Sequence, residues 1–309
     1  MGVKPLACIR TLGVLLAAIG ALPAMDCDAA AQVVSGPAPT FALDLANECA
    51  SEAPPTLPAW RISARLDRAL WPVRLTCTGD GPAKVLRVEV RPGDAFDPNP
   101  TGLSTERVEI QPRRELVRFD QPIWYAFRFR LREPWVDVQN RTVIHQIKQS
   151  IEPAKETDHG GPCPPANPFF KIEAGYRNKV SSAAFVVKVR GTNNCTDGKS
   201  GATICGPWPL KLGEWHRINV ALTPSQARSD LRVWLDGRSC EAYRGPLGYL
   251  DHGRRSADGK PTIDTQPRFG IYRDTLDAVQ AIDFADIAFW HAEPVGHPAW
   301  SVIGRTASP

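Results

Sequence analysis

From Lys84 onward, apolar and polar residues alternate in short runs separated by turn formers, the period-two signature of half-buried strands. The run 84–91 sets Arg87, Glu89 and Arg91 on one face, with Val88 and Val90 supplying apolar surface. The run 105–111 carries Arg107 and Glu109 together, and 124–131 opposes Arg128 and Arg130 to Tyr125, Phe127 and Phe129. In 142–149, Gln146 and Lys148 share a face and His145 turns to the other. The same reading predicts strands over 169–174, 184–190, 215–222, 231–235, 268–273 and 281–291, with a hairpin turn at Asp236-Gly237. Only 224–230 offers a short, polar candidate helix. In 268–273, Arg268, Gly270 and Tyr272 share one face: a cation, a gap and a phenol in a row. A glycine so placed marks close approach by a ligand or by another backbone.

Many alternating strands without helices to cover them predict an all-β sandwich or jelly roll. The polar face repeats Arg87, Glu89, Arg107, Glu109, Arg128, Gln146, Lys148, Lys171, Glu173 and Arg268 on successive strands, which predicts one curved sheet with a wet, concave face. Any antiparallel sheet can have a solvated face. The choice of residue is the more informative feature, because arginine grips carboxylates with paired hydrogen bonds. Three long segments rich in Gly, Pro, Asn or Asp (150–168, 191–213 and 236–267) interrupt the strands and are expected to wall a cleft.

The N-terminus reads differently. Lys4 and Arg10 precede an apolar stretch over 12–24 and the small residues Ala29-Ala30-Ala31. This is the pattern of a secretory signal peptide over 1–31, too short for a comfortable membrane span. The expected location is a bacterial periplasm or beyond. Residues 32–80 then form an N-terminal arm leading into the first strands, and 81–309 the main domain. The sequence leaves cleavage after Ala24 or after Ala31 open: of the eight cysteines, Cys8 leaves either way, and a cut after Ala31 also removes Cys27 so that six remain. An even set in an oxidising compartment implies up to three disulfides. Cys195 and Cys205 share one loop and are the expected local pair. No Cys-x-x-Cys or Cys/His spacing marks zinc. Composition is globular at 43% hydrophobic and 23% charged; with 29 Pro and 24 Gly it favours strands joined by turns. A net charge of +4 permits an anionic partner without demanding one.

Three strands then carry a resemblance. Arg107-Val108-Glu109-Ile110, Gln146-Ile147-Lys148 and Arg268-Phe269-Gly270-Ile271-Tyr272 resemble the signature strands of the jelly-roll polysaccharide lyases, the alginate lyases among them. The surroundings look still more like the glucuronan lyase and heparin lyase I branch. They include Arg87-x-Glu89-x-Arg91, Gly93-Asp94, Glu106-Arg107-x-Glu109 and Trp124-Tyr125-x-Phe127. Gly213-x-Trp215-His216, Trp234-x-Asp236-Gly237 and Gly270-Ile271-Tyr272-Arg273 follow in the family's order. Two positions depart from the pattern: Lys148 stands where alginate lyases have His, and Arg268 where they have Lys.

The resemblance implies a concanavalin A-like jelly roll and β-elimination at a uronic acid, in which C5 loses a proton and the C4–O bond breaks. Tyr272 would transfer the proton, while Gln146 and Arg107, with Lys148 as a third, would neutralise the carboxylate. Glu109 would orient Arg107. A free phenol titrates near ~10, so it needs nearby cations to act as a base at neutral pH, and Arg268 is the candidate. Arg268, Glu109, Arg87, Arg128 and Lys171 are the expected substrate-binding set. His216 reads as a structural strand residue, whereas His159, His252, Arg254, Arg255 and Lys260 lie in the wall segments. The expected partner is an anionic uronate polymer of glucuronate or mannuronate type, bound by a monomer with no nucleic acid or membrane involved. No cofactor is required. Calcium occurs in relatives, but no Asp-x-Asp-x-Asp run marks a site here. A retaining hydrolase would show a Glu-x-Asp-x-x-Glu strand, which is absent. The alternative reading is a non-catalytic, lectin-like carbohydrate-binding protein.

Overall fold

A computed structural model of the chain describes residues 36–49, 57–63, 68–79, 84–98, 104–136, 140–151, 168–175, 182–191, 201–248 and 263–300. Their strands, in chain order, are β1 (Phe41–Ala42), β2 (Trp60–Ser63), β3 (Leu75–Thr78), β4 (Val85–Val90), β5 (Ala95–Pro98) and β6 (Ser104–Pro112). There follow β7 (Ile123–Leu131), β8 (Thr142–Ile151), β9 (Phe170–Gly175), β10 (Ala184–Arg190) and β11 (Gly201–Pro209). The last five are β12 (His216–Thr223), β13 (Asp230–Leu235), β14 (Arg238–Ser239), β15 (Ile263–Asp274) and β16 (Gln280–Trp290). Helical turns occur only at Leu45–Glu48, Arg68–Leu70 and Trp71–Arg74 among these residues. The polar segment 224–230 stays irregular, folded on the Ser225 and Ser229 hydroxyls instead of forming a helix.

The strands build two antiparallel sheets of a jelly roll. One runs β14-β13-β12-β7-β16-β4-β3, with β1 beside β16; the other runs β11-β10-β9-β8-β15-β6-β2, with β5 beside β6. The arm before residue 80 thus feeds strands into both. Ten of these strands are legible as alternation. β11 is not, because Gly206, Pro207 and Pro209 interrupt it. As the edge of its sheet it tolerates proline, which central strands do not.

Apolar side chains from both inner faces meet between the sheets. Phe269 of β15 stands at the centre of an aromatic cluster, edge-on to Phe127 at 5.2 Å and near Trp60, Phe284 and Phe289. His145 also faces inward, as its parity on β8 requires, and stacks on Phe269 at 4.5 Å. Its Nδ1 donates to the Arg268 carbonyl at 2.8 Å, and its Nε2 accepts from the Tyr125 hydroxyl at 2.9 Å. Burial pushes this imidazole down to about 3, so it stays neutral in the fold.

That depression has a definite sign. Below the ordinary histidine value of about 6.5 the unfolded chain takes up a proton that the fold refuses, so stability is lost as pH falls from there toward 3. Glu48, raised by burial to about 7, titrates in the opposite sense over part of that range. The effect is therefore read as a difference. Between pH 6 and pH 4, wild type should lose stability relative to His145→Leu by ~1.4 kcal/mol per pH unit, measured by urea unfolding. Parallel curves would show that His145 is not held neutral.

Two disulfides join described residues, Cys49–Cys77 and Cys205–Cys240. The second corrects the expected Cys195–Cys205 pair: β11 carries Cys205 toward Cys240, just after β14, with Cα atoms 5.0 Å apart. Cys27, Cys163 and Cys195 lie outside the described residues.

Candidate active site

The sheet containing β15 turns its polar face outward. On it Tyr272 lies directly opposite Arg107 of β6, and Gly270 opposite Glu109. On the other flank, Arg268 faces Gln146 and Gln266 faces Lys148, both of β8. Gln146 in turn faces Lys171 of β9, which faces Lys188 of β10. Tyr272, Gln146, Arg107, Lys148, Arg268, Glu109 and Lys171 are therefore brought to one surface by strand register.

Two other candidates are not. Arg87 and Arg128 belong to β4 and β7, in the opposite sheet. They point outward there and pair with Asp283 and Asp286. Alternation gives each side chain a face of its strand but does not say in which of two sheets the strand lies, so the single polar face expected for all ten residues is divided between two.

The register is fixed beneath the polar face. Arg273, the residue after Tyr272, is fully buried and pairs with the equally buried Glu106, the residue before Arg107. Its Nε and Nη2 lie 2.8 and 2.7 Å from Glu106 Oε2, and it donates further to Gln280 and the Ala278 carbonyl. Burial draws the guanidinium below its usual range while Glu106 draws it back. A one-residue slip would bury Tyr272 and expose Arg273, and would leave Glu106 a buried charge without its cation. Arg74 and Asp94 form a second buried pair at 2.7 Å, and Asp94 also caps the turn at Arg91. The Gly93-Asp94 and Glu106 motif residues thus hold the frame.

Gly270 has φ +150, and a Cβ there would stand 2.2 Å from the Val108 carbonyl oxygen and 2.6 Å from Glu109 Cα. Its lack of a side chain lets β15 press against β6. It also leaves a gap over which Gln146 reaches Glu109, with Nε2 donating to Oε1 at 2.6 Å. The other Glu109 oxygen is 3.5 Å from Arg107 Nη1. One buried carboxylate thus orients both the amide and the guanidinium.

The Tyr272 ring lies between the two strands that flank β15. Arg107 stands over it from β6 at 5.3 Å, and Arg141, just before β8, at 4.9 Å. Arg141 is held by Asp274, Nη2 to Oδ1 at 2.6 Å. It is the one residue of this cluster that sequence reasoning missed, since it precedes its strand and lies in no motif. The only signal was its place beside Thr142, the partner of Arg273. Arg268, expected as the tyrosine's cation, donates instead to Gln266 at 2.6 Å. Lys171 of β9 and Lys188 of β10 both contact the buried Glu173 of β9 at 2.6 Å. Burial pushes the Lys171 ammonium down and Glu173 pulls it back up.

Histidine is absent from this face among the described residues. His145 lies behind it in the core, and His216 lies in the other sheet, bonded to Asp236 at 2.8 Å and the Lys211 carbonyl. His291 and His297 follow β16. His159, His252, Arg254, Arg255 and Lys260 lie outside the described residues, as do 152–167, 192–200 and 249–262 of the expected walls. No group of three or more His, Cys, Asp or Glu side chains converges to hold a metal among the described residues.

Several solved structures are similar to this one. An endo-β-1,4-glucuronan lyase from the fungus Trichoderma reesei superposes with a TM-score of 0.54 and 15% identity, covering 82% of this chain and 95% of that one. The alginate lyase PA1167 from Pseudomonas aeruginosa gives 0.48 and 16%, covering 77% of this chain and all (100%) of that one. No curated protein sequence matches the chain. The family model described as polysaccharide lyase matches residues 73–293, a span from Arg74 through β16 that includes Tyr272, Arg107, Arg141 and Gln146. The chain belongs to the polysaccharide lyase family.

Proposed function

We propose that this lyase cleaves a uronic acid polymer by β-elimination on the polar face of the β15 sheet. The observation that carries the reading is the Tyr272 cluster: a phenol between two guanidiniums, beside an amide oriented by a buried carboxylate. A C5 proton becomes labile only if the negative charge spreading into the adjacent carboxylate is stabilised. Arg107 and Gln146 supply donors for that charge. An amide carries two N–H groups, and Glu109 takes one of those of Gln146, which leaves the other for the substrate. The Tyr272 oxygen, acting as the phenolate, takes the C5 proton and becomes the phenol. The C4–O bond breaks as the C4=C5 double bond forms, and the same proton passes from Tyr272 to the leaving oxygen.

One residue can serve both steps only when proton and leaving group lie on the same side of the sugar, as in glucuronate and mannuronate. Guluronate and iduronate present them on opposite faces and need a separate base. Lys148 stands where such a histidine would stand, and the neighbouring His145 has both ring nitrogens engaged in the core. These facts support a glucuronate-type or mannuronate-type substrate. The glucuronan lyase that shares the fold agrees with that choice. We further infer export through a signal peptide over 1–31, in keeping with the disulfides.

The test is incubation with glucuronan, polymannuronate-rich alginate, polyguluronate and glycosaminoglycans while following the ultraviolet absorbance of the unsaturated product. Growth of that absorbance with glucuronan or polymannuronate is expected. A flat trace with every polymer would sink the reading.

A further inference from the structure

The outer face of the opposite sheet holds a second concentration of arginine. Asp283 of β16 is fully buried beneath three of them: Arg87 Nε at 2.8 Å, Arg130 Nη2 at 2.7 Å and Arg132 Nη1 at 3.8 Å. Beside it Asp286 takes Arg128 at 2.6 Å and Arg217 at 3.9 Å. Five guanidiniums therefore converge on two carboxylates. Of the neighbouring acids, Glu89 is matched by Arg91 at 2.5 Å and Glu214 by Lys211 at 3.3 Å, while Asp236 holds His216 at 2.8 Å and adds its field to Arg217. Each guanidinium has five N–H donors and a carboxylate about four acceptor sites, so the donors far exceed what these acids can take. Trp215 underlies the patch, with the Arg128 and Arg130 guanidiniums over its ring at 5.1 and 4.7 Å. The arginines are thus held in place before anything binds. They remain accessible, the Arg128 and Arg132 side chains being 35% and 39% exposed.

We propose that this face is a second binding surface for the anionic polysaccharide, separate from the Tyr272 face. The identity of the polymer rests on the function proposed above; the surface itself does not. Charge complementarity selects the occupant. The five guanidiniums crowded around Asp283 and Asp286 repel one another, and a chain of carboxylates relieves that repulsion. Shape selects a polymer over a single anion. The arginines come from β4, β7 and β12, and with β16 between β4 and β7 the row crosses three strand spacings, roughly 14 Å. The all-arginine composition favours planar, two-point contacts with carboxylate. Bound on this side, the lyase would stay with its polymer between cleavage events on the other.

The test compares three proteins on a Tyr272→Phe background, with glucuronan as the probe in affinity electrophoresis. One carries no further change. The second carries Arg128→Gln and Arg132→Gln, which leave Arg87 and Arg130 on Asp283 and so orphan no buried carboxylate. The third carries Arg113→Gln and Arg118→Gln, the same charge change at exposed positions between β6 and β7. The second should bind glucuronan about tenfold more weakly (~1.4 kcal/mol) and the third nearly as well as the first. In the active background, the loss of polymer affinity should exceed any change in turnover of a glucuronate trisaccharide. Unchanged affinity in the second protein, or an equal loss in the third, would overturn the surface. A selective loss in a protein that cleaves no uronate polymer would uphold the surface and refute the lyase substrate instead.

Discussion

Tyr272→Phe should lose at least ~10³-fold in turnover on any polymer the native protein cleaves, within the range that general acid–base groups contribute. Only the hydroxyl is removed. The ring keeps its place between Arg107 and Arg141, and the strand register is set by Arg273 and Glu106 below it. Unfolding midpoint and polymer affinity should therefore stay close to wild type, which separates a lost proton carrier from a damaged site. Arg141→Gln gives a milder comparison: it removes one of the two cations over the ring and should lower kcat more than it raises KM. Comparable turnover in Tyr272→Phe would move the proton transfer to another group and leave the guanidinium pair as substrate anchors only.

The second large effect is on stability. Arg273→Ala should cost ~3–5 kcal/mol in urea unfolding, because it leaves the fully buried Glu106 charge without its partner. It also removes the donors to Gln280 and to the Ala278 carbonyl that tie β15 to the turn before β16. Glu106→Leu combined with Arg273→Met should recover much of the loss, since an apolar pair leaves no uncompensated charge. If the single and double variants were equally unstable, packing around Arg273 and not the ion pair would be holding the register. Tyr272 and Arg107 are the next residues along, so a loosened register would also lower activity without touching either catalytic group.

Strands with strict alternation could be read directly, and parity alone correctly sent His145 into the core and Gln146 and Tyr272 to the polar face. The distribution of strands between two sheets was not legible, because it depends on long-range pairing that alternation does not encode. This is why Arg87 and Arg128, with the same local pattern as Arg107, pair with aspartates of β16 on the far side of the molecule. β11 was hidden by its glycine and prolines, and its cysteine partner Cys240 by a separation of 35 residues. Arg141 was hidden because its role arises from its neighbours: Asp274 holds it and Tyr272 receives it, and both lie on β15. The motif residues Glu106, Arg273 and Asp94 were visible in the sequence, yet their buried pairing became clear only in three dimensions.

In the proposed mechanism Tyr272 alone carries the proton from C5 to the leaving oxygen on one side of the sugar. The initial rates of ultraviolet-absorbing product from defined mannuronate, guluronate and glucuronate oligomers of equal length decide it. Faster cleavage of glucuronate or mannuronate than of guluronate is predicted, since no histidine among the described residues reaches this face to act as a second base. Faster cleavage of guluronate than of either other oligomer would contradict it.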